Sequence, residues 1–330
     1  MLLSLALAAA AAAPQPGVLQ LYQDWTVGCD NGLACQAVAL MPEGRLDGAA
    51  TMVLRRGPEP EAPVSARIVS PDGAPVLAEA DGRRFRLVQA PDGAAVAPAD
   101  IPDLIAVLRR APALRLTDAG GTALGAVSLA GASAALLFID AQQRRVGTQT
   151  ALVRPGPRPA SAVPRPPALP VVRAAAASDA RPARLDRAAL VRRHVDQSCG
   201  SSFGPEDVEI ARLDAATTLA LVPDRCNSGA YNIGHVVLVA DNRGRTRRAE
   251  FDVSPGWGED DRLAVNASWD PVERRFSSFA KARGLGDCGA IHHYAWDGRR
   301  FRLVERLMMG ECRGSGDYVP LWRAEVRVGA

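Results

Sequence analysis

A proline-rich stretch near the middle of the chain limits its fold more than any other feature. Residues 154–187 contain eight prolines and seven arginines. Proline lacks a backbone donor and fixes φ, so a stretch of this kind stays extended and cannot build a core. We therefore predict a linker at 154–187, between an N-terminal β-rich domain at 14–153 and a C-terminal β-rich domain at 188–330.

The linker also holds the excess charge of the chain. Its seven arginines and two aspartates give +5, whereas the first predicted domain carries −2 and the second 0. Balanced charge in both domains argues against a nucleic-acid partner. Arginines in an extended segment can attract anionic lipids or acidic glycans, but we interpret this segment as a solvated tether.

The first residues have the composition of a secretory signal peptide. An apolar run from Leu2 to Ala13 ends at Pro14 and offers Ala-x-Ala cleavage sites. The run is shorter than the ~20 residues that span a bilayer, and no later segment is longer, so we expect no integral membrane segment in the mature chain. We predict a signal peptide at 1–13 and a periplasmic location, with secretion or a buried helix as the alternatives.

Six cysteines are divided between the two predicted domains. In an exported chain an even number of cysteines favours disulfides. Metal binding would need short pairs such as Cys-x-x-Cys, and none occurs in the sequence. The domain division and local geometry favour the pairs Cys29–Cys35, Cys199–Cys226 and Cys288–Cys312.

Short β-favouring segments, separated by Gly, Pro and Asp-Gly, recur in both halves. In the first half we expect strands at 50–55, 64–69 and 84–88, and helices at 100–110 and 133–144. The predicted fold class is mainly β with a few short helices. It combines a β-sandwich-like N-terminal domain with an antiparallel β-sheet C-terminal domain built from hairpins, both stabilised by disulfides.

Three turns predict hairpins. Asn31-Gly32 is the strongest two-residue signal, because both residues tolerate positive φ. Residues 241–244 and 297–298 join β-favouring runs in the second half. Each of these turns should therefore connect two antiparallel strands.

One eight-residue sequence occurs twice. Residues 81–88 and 297–304 both read DGRRFRLV, although their surroundings differ. We interpret the repeat as a turn followed by a strand in which Phe and Leu point inward and Arg points outward.

Several short motifs together resemble a known family. They are Asp24-Trp25, Cys29-Asp30-Asn31 with Cys35, residues 129–145, Gly286-Asp287-Cys288-Gly289, Glu311-Cys312-Arg313-Gly314 and Leu321-Trp322. On these motifs the chain resembles an uncharacterised family of exported proteobacterial proteins, the domain of unknown function 1176 family. The N-terminal part is also similar to the invasion-associated locus B proteins. These resemblances imply an envelope location and a β-sandwich-like fold, with no established activity and no catalytic residues.

The titratable side chains do not form a recognisable catalytic or metal motif. No His-Glu-x-x-His pattern is present. His292 and His293 occupy adjacent positions of a predicted strand, so they should point to opposite faces, and each is interpreted as a surface or rim residue. The acidic run at 259–261 lacks spaced calcium ligands and is interpreted as a solvated loop. We predict no catalytic residue, no metal and no cofactor.

Aromatic and arginine side chains concentrate in the second predicted domain. This composition is typical of surfaces that recognise glycans, peptides or proteins. The candidate binding residues are Trp257, Trp269, Asp287, His292, Trp296 and Arg313. The tryptophans could instead fill the β core, and that alternative stays open.

These observations favour an exported envelope protein that acts as a non-catalytic binding or interaction module. The expected partner is an envelope protein or glycan. One alternative is an inhibitor of a cell-wall hydrolase such as lysozyme, suggested by the hairpin between Cys288 and Cys312 and by a loop at 313–317. The other alternative is a hydrolase that uses Asp287 with His292 or His293.

Overall fold

The computed structural model of the chain describes residues 13–45, 49–200, 203–256 and 263–329. Within these residues the chain is mainly β with three α-helices, so the predicted fold class is confirmed. Trp257 and the predicted signal peptide, except Ala13, lie outside the described residues. No helix in the described part of the chain has the length and apolar composition needed to cross a membrane.

The first part of the chain forms a closed seven-stranded barrel with an extension. Its elements are β1 (Leu19–Tyr22), β2 (Trp25–Cys29), β3 (Cys35–Ala39), β4 (Ala49–Arg56), β5 (Val64–Val69), β6 (Leu77–Ala80), β7 (Arg83–Ala90), β8 (Gly93–Val96), α1 (Ile101–Leu108), β9 (Ala113–Thr117), β10 (Ala123–Ser128) and α2 (Ala132–Gln142). The barrel runs β4, β10, β9, β6, β7, β8, β5 and closes because β5 pairs with β4. Strands β3, β2 and β1 extend the sheet outward from β4. The N-terminal part, for which we expected a β-sandwich-like fold, thus contains a barrel.

Strands β2 and β3 are buried along their whole length. Helix α2 covers one face of them, through residues such as Leu136 and Ile139. The C-terminal part covers the other face, where Val38 joins a shared apolar cluster. Strands covered on both faces have continuous apolar runs, which explains why these two segments lack polar alternation.

The hairpin of β2 and β3 forms as predicted, but its turn differs from the expected one. The two cysteines pair directly in the strand register, so the loop comprises residues 30–34. Leu33, and neither residue of the Asn-Gly pair, has the left-handed conformation, with φ 63°. The Asp30 carboxylate accepts hydrogen bonds from the N–H groups of Gly32 (2.8 Å) and Ala34 (3.0 Å). These bonds stabilise a wider loop than a two-residue turn.

The second part of the chain contains two antiparallel sheets. Its elements are β11 (Val171–Ala174), α3 (Arg187–His194), β12 (Glu209–Arg212), β13 (Thr217–Asp224), β14 (Gly234–Asp241), β15 (Thr246–Arg248), β16 (Leu263–Val265), β17 (Ser268–Asp270), β18 (Arg275–Lys281), β19 (Gly289–Trp296), β20 (Phe301–Met309), β21 (Val319–Arg323) and β22 (Glu325–Val328). One sheet has the order β12, β13, β14, β15, with β16 also paired to β14, and the other runs from β17 to β21. Both hairpins predicted in this half are present.

The two sheets face each other across a shared core. It includes Leu219, Leu221, Val237 and Val239 from the first sheet and Phe276, Tyr294, Trp296 and Phe301 from the second. The ring of Phe251 lies between them, with its centroid 5.0 Å from that of Tyr294 and 5.0 Å from that of Phe301. This core closes part of one face of the β17–β21 sheet from solvent.

The segment 154–187 lies against the rest of the chain. Its strand β11 pairs in parallel with β22. Val172 and Ala174 are buried together with Ala295 of β19. The prolines permit the extended path that we expected, but the segment contributes a strand and buried side chains instead of running only through solvent. The division into two domains and a linker stays a prediction.

The N-terminal and C-terminal parts share an apolar interface. Val38, Leu40 and Val53 pack in one cluster with Cys288, Met309, Tyr318, Val319 and Leu321. At its margin the buried side chain of Gln36 donates to the carbonyl oxygens of Asp317 (3.3 Å) and Tyr318 (3.0 Å). An apolar centre with a polar margin is typical of interfaces that stay closed.

The loop at 30–34 docks onto β21. Asn31 Nδ2 donates to the Arg323 carbonyl oxygen (3.0 Å), and the Arg323 N–H donates to Asn31 Oδ1 (2.7 Å). The Arg323 guanidinium also pairs with the buried carboxylate of Asp30. The Asn31 amide therefore imitates a neighbouring strand and joins positions 292 residues apart.

The six cysteines form the three disulfides that the sequence predicted: Cys29–Cys35, Cys199–Cys226 and Cys288–Cys312. The first links β2 to β3. The second joins the segment after α3 to the turn after β13. The third joins the start of β19 to the segment after β20, and Cys288 is fully buried in the interface between the two parts.

Candidate functional site

Two of the predicted binding tryptophans belong to the core. Trp269 is 6% exposed and Trp296 1% exposed. Trp296 Nε1 donates to the carboxylate of Asp214, and its ring centroid lies 5.1 Å from that of Phe301. These side chains fill the space between the two sheets, which is the alternative that the sequence left open.

Asp287 has a structural environment. The Arg283 guanidinium donates to its carboxylate, and the Gly314 N–H donates to it at 2.8 Å. The hydrogen bond from Arg283 is the main reason why the pKa of Asp287 is lowered. The carboxylate is therefore occupied in holding the Arg313-Gly314 segment beside the Cys288–Cys312 disulfide.

The loop at 313–317 contacts the N-terminal part of the chain. Arg313 Nε donates to the Met41 carbonyl oxygen (2.7 Å), and its guanidinium pairs with Asp24. Asp317 pairs with Arg67 in the same way. Arg313 and its neighbours thus form contacts within the molecule, and the loop is not presented as a free inhibitory surface.

His292 lines a cavity of about 570 Å³ on the inner side of β19 and β20. Only 2% of this residue is exposed, so the expectation of a surface or rim position is wrong for it. The cavity lies between these strands, the segment 251–256 and the first described residues. The other side chains in its wall include Pro14, Pro16, Ala290, Arg306, Met308 and Met309.

Gly289 shapes the edge of this cavity. Its φ is +139°, and a Cβ at this position would lie 2.1 Å from the Ala280 carbonyl oxygen. Any other residue would push β19 away from β18. Only glycine fits at position 289 for this steric reason, which the sequence alone did not show.

The imidazole of His292 has an unused hydrogen-bonding atom. Its Nδ1 is buried and has no hydrogen-bond partner among the described residues. The ring stacks on Tyr294, with centroids 6.2 Å apart. A buried polar atom without a partner costs about 1–3 kcal/mol, which a ligand that bonds to it can recover.

The electrostatics of the cavity keep this ring neutral. Burial lowers the pKa of His292 to about 4, and the positive charge of Arg306 acts in the same direction. Asp252, an acidic residue in the wall, accepts hydrogen bonds from Arg302 Nε (3.0 Å) and from the Leu303 N–H (2.8 Å). A neutral imidazole has one donor and one acceptor, so it suits an uncharged polar group.

In the part of the chain that the structure describes, no three His, Cys, Asp or Glu side chains are grouped closely enough to hold an ion. The acidic run at 259–261 lies outside the described residues.

A second polar group lies on the opposite face of the same sheet. The register aligns Ser277, His293 and Glu305 across β18, β19 and β20. Ser277 Oγ lies 2.9 Å from His293 Nδ1, and Glu305 Oε2 lies 3.7 Å from His293 Nε2. Sequence reasoning missed Ser277 and Glu305 because only strand register brings these positions together.

Two serine patterns of hydrolases also occur in the chain. Residues 200–204 match Gly-x-Ser-x-Gly, but positions 201 and 202 lie outside the described residues. Ser278 and Lys281 match Ser-x-x-Lys. Residues three apart share a face on a helix, whereas on strand β18 they point to opposite faces. Ser278 and Lys281 therefore cannot act together.

The fold and the cavity define a class: a disulfide-stabilised β protein whose barrel and facing sheets are joined by a closed interface. This chain belongs to the family described as protein of unknown function (DUF1176), which it matches over residues 19–325. The family predicted from the motifs is therefore confirmed.

Two individual proteins are similar to this chain. The uncharacterized protein YpfG of Escherichia coli (strain K12) is 30% identical over an alignment that covers 91% of this chain and 91% of that one. The crystal structure of invasion associated protein B from Bartonella henselae has 19% identity and a TM-score of 0.29, and the match covers 38% of this chain and 99% of that one.

Proposed function

We propose that this protein is an envelope binding protein whose ligand occupies the cavity beside His292. The observation that carries the proposal is the buried Nδ1 without a partner in the wall of a cavity of about 570 Å³. Small-molecule sites have volumes of roughly 300–1,000 Å³ and combine apolar walls with a few polar groups. The His292 cavity meets both conditions.

The chemistry of the walls favours a glycan fragment as the ligand. Sugar rings have apolar faces that can contact Met308, Met309 and the two prolines, and hydroxyl or amide groups that can bond to a neutral imidazole. A histidine whose pKa is about 4 is a weak base at neutral pH. The proposed role of His292 is to bind and orient the ligand.

The same proposal includes export to the periplasm. It is supported by the apolar run that ends at Ala13 and by the three disulfides, because disulfides persist in oxidising compartments. Removal of residues 1–13 would place the start of the mature chain at the cavity, because Pro14 and Pro16 lie in its wall.

The binding test uses the oxidised chain from residue 14 onward and soluble glycan fragments from a muramidase digest of peptidoglycan. We expect the fragments to raise the melting temperature and to give a saturable calorimetric titration. The His292→Leu variant should lose both effects, because leucine fills the space without a hydrogen bond.

His235→Leu is the matched control. His235 lies on β14, where its Nδ1 is 3.0 Å from the Ile233 carbonyl oxygen, and its replacement should leave the titration unchanged. No heat or shift at saturating fragment, or equal binding by both variants, would reject a glycan site at His292.

Cell fractionation tests the location. The full chain should appear in the periplasmic fraction with its disulfides formed, and a chain without residues 1–13 should stay in the cytosol. Recovery of the full chain in the cytosol, with residues 1–13 still attached, would reject export.

A further inference from the structure

The row of Ser277, His293 and Glu305 has the arrangement of an activated serine. Both imidazole nitrogens have neighbours: the Ser277 hydroxyl is 2.9 Å from Nδ1 and the Glu305 carboxylate 3.7 Å from Nε2. In the tautomer that fits these neighbours, Nδ1 accepts a hydrogen bond from the Ser277 hydroxyl, and Nε2–H faces Glu305 across a distance longer than a hydrogen bond. A nucleophile, a base and an orienting carboxylate in this order can activate a serine on any fold.

Solvent can reach this row. The side chain of His293 is 16% exposed and that of Glu305 is 33% exposed, and Ser277 is half-buried. Glu305 of this row and Arg275, which lies on the same face as Ser277, also line a cavity of about 360 Å³. A second cavity, of about 320 Å³, shares Glu305 and Arg323 with the first.

A positively charged donor lies beside the serine. Arg275 precedes Ser277 by two residues on β18, so both side chains lie on the same face. One terminal nitrogen of Arg275 pairs with Glu273, whereas its buried Nε has no hydrogen-bond partner among the described residues. A donor in this position can stabilise the negative oxygen that forms when a carbonyl is attacked.

We propose that Ser277 is a nucleophile that small carboxylic esters acylate, with His293 as general base and Glu305 as a positioning residue. The cavity of about 360 Å³ at Glu305 offers apolar side chains for a short aliphatic acyl chain. It is lined by Leu169, Ala295, Val304, Ala324 and Val326. This activity goes beyond the proposed ligand site at His292, which lies on the other face of the sheet.

The reaction balances without any other reactant than water. Ser277 Oγ forms a bond to the ester carbonyl carbon while its proton moves to His293 Nδ1. The bond from carbon to the alcohol oxygen then breaks, and the proton passes to the departing alkoxide, which leaves an acylated serine. Water attacks the same carbon, gives a proton to Nδ1, and Ser277 regains it as the carboxylic acid departs.

The expected chemistry is slow. Burial and the charge of Arg275 lower the pKa of His293 to about 4, so the ring is neutral at pH 7 but is a weak base. Proton transfer to such a base gives a rate enhancement at the lower end of the usual range, about 100-fold. The covalent serine adduct is therefore a better signal than turnover.

The test exposes the oxidised chain from residue 14 onward to a fluorophosphonate reagent and, separately, to p-nitrophenyl butyrate. The serine oxygen displaces fluoride or p-nitrophenolate, so intact mass spectrometry should show one adduct. Trypsin cleaves after Arg275 and Lys281, and fragmentation of the intervening peptide distinguishes Ser277 from Ser278. We expect the adduct on Ser277.

Variants separate the three roles. Ser277→Ala should remove the adduct, and His293→Gln should slow labelling about 100-fold. Ser278→Ala is the control, because this neighbour faces the other side of the sheet and should keep labelling intact. Glu305→Gln should slow labelling and move the acid limb of its pH profile to lower pH, since the loss of a negative charge disfavours protonated His293. A purely structural role for Glu305 would leave that limb in place.

If a variant fails to fold, the labelling rate and the adduct position of the wild-type protein are sufficient to test the proposal. Labelling no faster than in urea-unfolded protein, or an adduct on another residue, would overturn it. Loss of glycan binding at His292 with labelling intact would reject the binding proposal only, so the two failures are distinguishable.

Discussion

His292 and His293 are consecutive in sequence but have different environments. His292 points toward the facing sheet, where it is 2% exposed and its Nδ1 lacks a partner among the described residues. His293 points to the other face, where Ser277 and Glu305 lie beside its two nitrogens. A strand reverses side-chain direction at each residue, so one dipeptide contributes to two separate sites.

The difference arises from what covers each face of the β17–β21 sheet. The inner face meets the sheet of β12 to β16 and an aromatic core. The outer face meets the N-terminal part in one region and the segment with β11 in another. The charged row with His293 lies between these two covered regions. The inner face therefore encloses His292 in a cavity, whereas the outer face leaves His293 and Glu305 partly exposed.

The largest expected effect compares two phenylalanines on β18. Phe276 is fully buried, with its ring centroid 4.9 Å from that of Phe301, whereas Phe279 is half-buried beside Tyr318. Phe276→Ala should lower the free energy of unfolding by about 3–5 kcal/mol. Phe279→Ala should lower it by about 1–2 kcal/mol, because part of that ring is already in water. Urea denaturation measures both, and equal losses would show that the two faces are equally closed.

The pH dependence of stability compares the two histidines. Both have a pKa near 4 in the fold and near 6.5 when unfolded, so between these values the unfolded chain binds more protons. Their contribution is full above pH 6.5 and is lost as the pH falls toward 4. For His292 the slope is about 1.4 kcal/mol per pH unit, and it should be smaller for the more exposed His293.

Urea titrations from pH 7 to pH 4.5 test this expectation. His292→Leu should flatten the profile more than His293→Gln. Identical profiles for wild type and His292→Leu would mean that the imidazole of His292 titrates normally in the fold.

The smallest effect compares two neighbouring serines. Ser278 Oγ donates to the Pro255 carbonyl oxygen (2.5 Å) and accepts from the Val265 N–H (3.1 Å) on the buried face. Ser278→Ala should lower the free energy of unfolding by about 1–3 kcal/mol, because it leaves buried partners without bonds. Ser277→Ala should change it by less than about 1 kcal/mol, since solvent can replace the hydroxyl. A greater loss for Ser277→Ala would assign that serine a structural role.

Local signals in the sequence were sufficient for many elements. The strand at 64–69 is found with the same bounds, and the predicted helices at 100–110 and 133–144 overlap α1 and α2. Turn-forming Gly, Pro and Asp-Gly residues mark the ends of such segments, so these can be predicted without information on distant contacts. The disulfides followed from the same logic, because each joins positions close in sequence.

The repeated sequence DGRRFRLV shows where local signals end. In both copies Phe and Leu are buried as predicted. At 81–82 both residues have positive φ and form a two-residue turn. In the second copy, residues 297–300 form a four-residue loop. Its Asp297 carboxylate accepts hydrogen bonds from the Arg299 N–H (2.9 Å) and the Arg300 N–H (2.8 Å). The residues around each copy therefore determine which of the two turns forms.

The two candidate sites depend on such distant neighbours entirely. The His292 cavity needs the first described residues to meet β19 and β20, and the Ser277 row needs the register of three strands. Neither arrangement leaves a spacing pattern in the sequence. Four of the candidate binding residues, Trp269, Asp287, Trp296 and Arg313, have structural contacts within the fold.

The bonds between Asn31 and Arg323 also bear on how the molecule reaches its fold. The first hairpin can complete its contacts only when the last strands have been synthesised, and contacts between distant positions slow folding. The pairing of the barrel strands needs only residues 49–128, whereas the docking of this loop waits for residue 323. This loop is therefore among the last parts of the N-terminal half to take its final position.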